Sequence, residues 1–217
     1  TYVNGQENRP VDPLILTTGI ISRSLSSGSF SHDLYGLAKN TNPQWWVEFS
    51  YRFTNAAFTG KLQTWFILPG ETVYLVSLGE DFSQALGSVN LDISKIRFHR
   101  ARNYQAKKKS LFDALRLDEA VFEASSEAPF PRTSFTVSNT GTMNFRQVRF
   151  LVVSFSGDNP AAFNTVTLER LASLETRKVS VNWFEPLPFI SATKVFPEIN
   201  FYDPAIFWQS SVSSPAL

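Results

Sequence analysis

The chain has 217 residues, no cysteine, 20 basic against 19 acidic side chains, 43% hydrophobic residues and 20 phenylalanines. That length suits one large β domain or two of about 100 residues, and the absence of thiols excludes disulfide frameworks, thiolate catalysis and cysteine-ligated metal sites. A net charge of +1 argues against a nucleic-acid role, and no stretch reaches the roughly 18 uninterrupted apolar residues of a membrane-spanning helix.

Apolar and polar residues alternate with period 2 along most of the chain, which sets the fold class as all-β. Residues 1–13 are polar and read as a tail. Residues 14–21 form the opening strand and 30–39 a second, which ends at the polar loop Asn40-Thr41-Asn42-Pro43. A central strand over 45–53 places Trp45, Val47, Phe49, Tyr51 and Phe53 on the core face and Trp46, Glu48, Ser50 and Arg52 on the other. Residues 62–68 and 72–78 flank Pro69-Gly70-Glu71, where proline presets φ and glycine accepts a positive φ, as a tight turn requires. Residues 93–99 close a first module spanning 14–102. Residues 103–110 lack apolar periodicity and read as a basic linker, and Ser110 is a candidate cap for a short helix over 111–117. A second module, 111–205, continues with strand-like residues at 120–124, 132–138, 145–155, 166–171, 177–184 and 193–201, with a turn at Ser173-Leu174-Glu175. Residues 206–217 form a second tail.

The two modules repeat one pattern. A single offset pairs Asn40 with Asn139, Thr41 with Thr140, Trp46 with Phe145, Phe49 with Val148, Tyr51 with Phe150 and Phe53 with Val152. The turn match shifts by a few residues to pair Glu71-Thr72 with Glu175-Thr176, and Lys95-Ile96 then returns to the original offset against Lys194-Val195. Insertion in one loop compensated in another is the mark of duplicates whose strands are constrained and whose loops are free.

The residues Asn40, Asn42, Pro43, Phe49, Tyr51, Phe53, Pro69, Gly70 and Glu71 form a pattern that resembles the FxLYD and water-stress-type immunoglobulin-like sandwiches. The second module keeps Asn139 and Glu175 and lacks the Pro-Gly pair. The closing run Val179-Ser180-Val181-Asn182-Trp183-Phe184-Glu185-Pro186-Leu187-Pro188, with residues 197–203, is similar to membrane-anchored surface proteins of candidate-phyla bacteria. The resemblance implies two tandem immunoglobulin-like antiparallel β-sandwich modules. It also implies an exported, non-enzymatic module at the cell surface, membrane-tethered through a segment upstream of Thr1.

A basic strip holds the sharpest charge feature: Lys95, Arg97, Arg100, Arg102, Lys107, Lys108 and Lys109, with His99 among them and no carboxylate. Alternation with Ile96 and Phe98 places Lys95, Arg97 and His99 on one solvent face. Such a strip binds anionic glycans or lipid headgroups, or it protects a solvated edge strand from pairing. Trp45 and Trp46 point to opposite faces, which leaves Trp46 to stack on a sugar, anchor a partner or pack between modules. Trp65, Trp183 and Trp208 carry the same ambiguity. Asp113, Asp118, Glu119, Glu123 and Glu127 cluster in sequence without calcium-loop spacing and read as a solvated surface. His32 and His99 both fall on strands, and no nucleophile, zinc or phosphate-loop motif occurs. The sequence therefore predicts no enzyme, cofactor or metal. It predicts a structural or adhesive module acting on a protein partner or on itself, with glycan binding through Trp46 and the basic strip as the alternative and a carboxylate hydrolase as the remoter one.

Overall fold

Alternating side chains produce the expected backbone in the computed structural model, which describes residues 9–24, 30–82, 86–124, 130–185 and 187–208. Among these residues the chain is all-β, with fifteen strands, one α-helix and one 3-10 turn. It divides into two compact units, Thr1–Tyr104 and Gln105–Leu217.

In the first unit β1 (Leu14–Ser24), β2 (Phe30–Lys39) and β6 (Thr72–Phe82) form an antiparallel sheet in the order β1-β2-β6. A second sheet is built on β3 (Trp45–Asn55), which pairs with β4 (Phe58–Thr59) and β5 (Gln63–Ile67) on one side and β7 (Asn90–Arg100) on the other. Leu34, Ala38 and Leu75 of one sheet pack with Val47, Phe49, Tyr51, Phe53, Ile67 and Leu91 of the other in a single buried cluster. Period-2 side chains from two sheets meeting in one core is the packing of a β-sandwich. The predicted core face of β3 is observed from Val47 to Phe53, all at 3% exposure or less, while Trp45 is half-buried.

The second unit has the same strand connectivity. β10 (Arg132–Asn139) pairs with β13 (Thr176–Asn182) on one side and with β8 (Leu115–Leu117) and β9 (Val121–Glu123) on the other. β11 (Asn144–Ser156) pairs with β12 (Asn159–Leu171), β14 (Ala192–Glu198) and β15 (Phe207–Trp208). Phe135, Val137, Val179 and Val181 from one sheet meet Phe145, Val148, Phe150, Val152, Ala162 and Leu168 from the other.

Each unit is pinned by the same asparagine corner. The Asn40 side-chain amide donates to the carbonyls of Trp45 (2.7 Å), Ile67 (3.2 Å) and Leu68 (3.3 Å), and its Oδ1 accepts from the Asn42 backbone at 3.0 Å. Asn139 donates to Met143 (2.8 Å) and Ala172 (2.8 Å), and its Oδ1 accepts from Gly141 at 3.1 Å. The backbone amides of Asn40 and Asn139 donate to the carbonyls of Glu71 (3.0 Å) and Glu175 (2.8 Å). The residues aligned as repeats thus make equivalent bonds, including across the shifted turn. That turn needs a left-handed residue in both copies: Gly70 at φ 70° and, without the benefit of glycine, Leu174 at φ 61°.

Several expectations are corrected. The basic linker over 103–110 is instead the start of α1 (Tyr104–Ala114), so Ser110 lies inside the helix and caps nothing. Tyr104 and Leu111 are buried, an i, i+7 spacing of helical period. Lys108 is half-buried within the same stripe and disguised it as polar. The tail expected from 206 onward begins later, because Ile206 and Phe207 pack on the core and the Trp208 indole donates to the Phe145 carbonyl at 3.1 Å. In the first tail, Val11 is tied by its backbone to both polar atoms of the Asn42 side chain, at 2.8 and 2.7 Å. The remaining tail residues, 1–8 and 209–217, lie outside the described residues.

Candidate functional site

Strand β7 carries the first half of the basic strip, and it is not a regular strand. Ser50 pairs with Ser94 and Glu48 with Arg97, so a bulge sits between them, with Lys95 at φ 51°. The extra residue resets the alternation. Ile93 on one side of the bulge and Ile96 and Phe98 on the other all pack toward the core, and Arg97 and His99 fall opposite Glu48 and Trp46 on the outer face. The alternation breaks between Ser94 and Lys95, both exposed, and resumes with Ile96 and Phe98 inward and Lys95 and Arg97 exposed. His99 is half-buried and not fully solvated. Its ring stacks on Trp46 at 4.1 Å with 15° between planes, and its Nε2 is buried without a hydrogen-bond partner among the described residues.

Beside this stack Arg97 forms an ion pair with Glu48. Arg100 lies over the Trp45 ring at 5.2 Å, a cation–π contact. Arg102 is exposed just before the helix. The second half of the strip belongs to α1 in the other unit. There Lys107 sits 4.5 Å over the Tyr202 ring, Lys108 5.7 Å over Phe112, and Lys109 2.5 Å from Asp113. The continuous strip of the sequence is thus two sets of basic residues, most of them engaged by carboxylates or rings. Lys95, at the bulge, is exposed.

Trp46 is not equivalent to Phe145, despite the alignment. Phe145 is fully buried in the core, whereas Trp46 is half-buried on the outer face against His99. Trp65 packs on the first core. Trp183 is buried and donates to the Thr133 hydroxyl at 3.0 Å. Of the acidic cluster, Asp113 pairs with Lys109 and Glu123 with Arg132 at 2.5 Å, while Glu127 lies outside the described residues. Among the described residues no three His, Asp or Glu side chains converge.

The chain matches no protein-family model. Nor does any curated protein match it.

Three features escaped sequence reasoning. His32 is fully buried, its Nδ1 2.8 Å from the Ser22 hydroxyl, with Phe30 and Phe82 rings beside it and Nε2 unpartnered among the described residues. Glu198 is buried opposite Arg149 on β11, and burial raises its pKa to about 7 against the weaker pull of that guanidinium. Its Oε2 lies 3.2 Å from the Arg149 Nε, within ion-pair range, yet the alignment makes no hydrogen bond. The third is β1, whose outer edge has no strand beside it among the described residues. The sequence signal for it was the absence of any charge between Asp12 and Arg23.

Proposed function

We propose that this chain is a tandem pair of immunoglobulin-like modules of the FxLYD or water-stress type that acts without catalysis, as a structural or adhesive element at a cell surface. The observation that supports this reading is the repeated scaffold: the same sheet connectivity and the same asparagine corner, built twice. Duplicating a sandwich multiplies edges and faces available for contact and adds no reactive group. The polar side chains of the outer face agree with it. Arg97 pairs with Glu48 and Trp46 stacks on His99 across strands, and cross-strand pairs of this kind stiffen a sheet.

Bead clustering tests the reading. Beads coated with the chain should aggregate, or adhere to beads bearing a protein partner, and the same protein should leave panels of ester, peptide and glycoside substrates untouched. Dispersed beads together with turnover of any such substrate would overturn it. Anionic-glycan binding is the rival, and it draws on Trp46 and Arg97 sharing one face. In that case tryptophan fluorescence should respond to a sulfated polysaccharide in wild type and lose the response in Arg97→Ala.

A further inference from the structure

Among the described residues, β1 is the one long edge of the first unit that is free of charge along most of its length, with Arg23 near its far end as its sole ionisable residue. β7 is edged by Lys95, Arg97 and Arg100 and is broken by the bulge at Lys95. β6 is broken by a register shift beside Gly79, at φ 66°, and carries Glu80 and Asp81. β4 and β5 are two and five residues long. Shortness, bulges and charge are the means by which proteins stop an edge from pairing with another chain. β1 extends over eleven residues, its only irregularity is at Leu16, and residues 17–22 run in unbroken register with β2.

Comparison between the two units sharpens the point. The strand at the position of β1 in the second unit is split into β8 and β9, three residues each, with Arg116, Asp118, Glu119 and Glu123 in and between them. One copy of the module protects this edge by every available means, and the other leaves it open. The open one also shows apolar side chains: Leu14 is 53% exposed, Ile15 39% and Leu16 46%. Next to them the Tyr35 ring lies over Gly19, so close that a Cβ there would stand 2.3 Å from the ring carbon Cζ. An aromatic ring covering an edge-strand glycine helps pin the strand's register.

We propose that β1 pairs antiparallel with β1 of a second copy of this chain, joining two β1-β2-β6 sheets across a two-fold axis. This rests on the contact reading above and names its partner. The occupant follows from charge. Residues 14–22 contain no ionisable side chain, so two copies laid antiparallel over this stretch set aliphatic and threonine side chains against each other with no like charges opposed. The same self-pairing along β7 would oppose arginine and lysine to themselves. A two-fold axis uses one edge on each copy and closes the assembly at two, which avoids an open fibre.

The test uses the intact chain and Thr17, which is exposed beside the proposed axis. Sedimentation of wild type should show a monomer–dimer equilibrium, and Thr17→Lys should raise its dissociation constant at least about tenfold. Leu14→Lys is the second variant, in case Thr17→Lys fails to fold. Because the chain has no cysteine, Thr17→Cys supplies a single thiol. A flexible bis-maleimide should link two copies of the Thr17→Cys variant and should not link two copies of Arg97→Cys, whose thiol lies on β7. A wild type that is monomeric at every concentration overturns the pairing. So does a dimer that survives both lysine substitutions and leaves the Thr17→Cys variant unlinked. In that last case the beads still cluster, and the contact reading stands without this edge.

Discussion

At the scale of single residues, the asparagine corner is the most consequential polar feature. A buried amide that closes three chain segments cannot be replaced by water, so each lost bond counts at about 1 kcal/mol. Asn139→Ala should therefore destabilise the second unit by about 2–3 kcal/mol, measured as a fall in the urea midpoint of signals from that unit. The turn residues offer an opposite pair. Leu174 is 80% exposed and held at φ 61°, so Leu174→Gly relieves strain and sacrifices no packing. It should stabilise by about 1 kcal/mol, whereas Gly70→Ala should cost a similar amount. Glu198 sets a pH dependence. Its folded pKa of about 7 lies above the ordinary 4.5, so the folded state holds the proton more tightly than the unfolded chain does. Stability from this group is greatest below the unfolded value and falls as pH rises from about 4.5 to about 7, by about 3 kcal/mol in all. Glu198→Gln should flatten that decline in thermal melts across the window, and an unchanged slope would assign the dependence to other groups.

At the scale of elements, the strands were largely legible because period 2 is local: β2, β3, β10 and β11 emerge where alternation and turn residues place them. The repeat was legible for the same reason, since Asn40 and Asn139 do one job with one side chain. The first turns of α1, before residue 111, were hidden because Lys108 occupies their half-buried face and makes the run look polar. The bulge on β7 was hidden because Lys95, and not glycine, adopts the left-handed backbone, so composition gave no warning. Beyond the bulge the expected solvated stripe is partly engaged across strands, because His99 stacks on Trp46 and Arg97 pairs with Glu48. Which edge stays open is a property of pairing between distant strands, and only the uncharged run over residues 14–22 hinted at it. The Tyr35 cover over Gly19 gives this element its own prediction. Gly19→Val must displace the ring, and it should lower the melting temperature of the first unit by several degrees.

At the scale of the whole molecule, the two units share a plan and differ in what they leave uncovered. The second protects its first-strand edge with short strands and charges, while in the first no strand pairs with the outer edge of β1 among the described residues. Hydrogen exchange read by mass spectrometry at rising protein concentration tests this most directly. Those backbone amides of residues 14–22 that are not bonded to β2 should exchange quickly in dilute solution and become protected as copies pair, while those of residues 90–100 stay unchanged. Exchange in residues 14–22 that ignores concentration would contradict the account, as would protection that falls on β7.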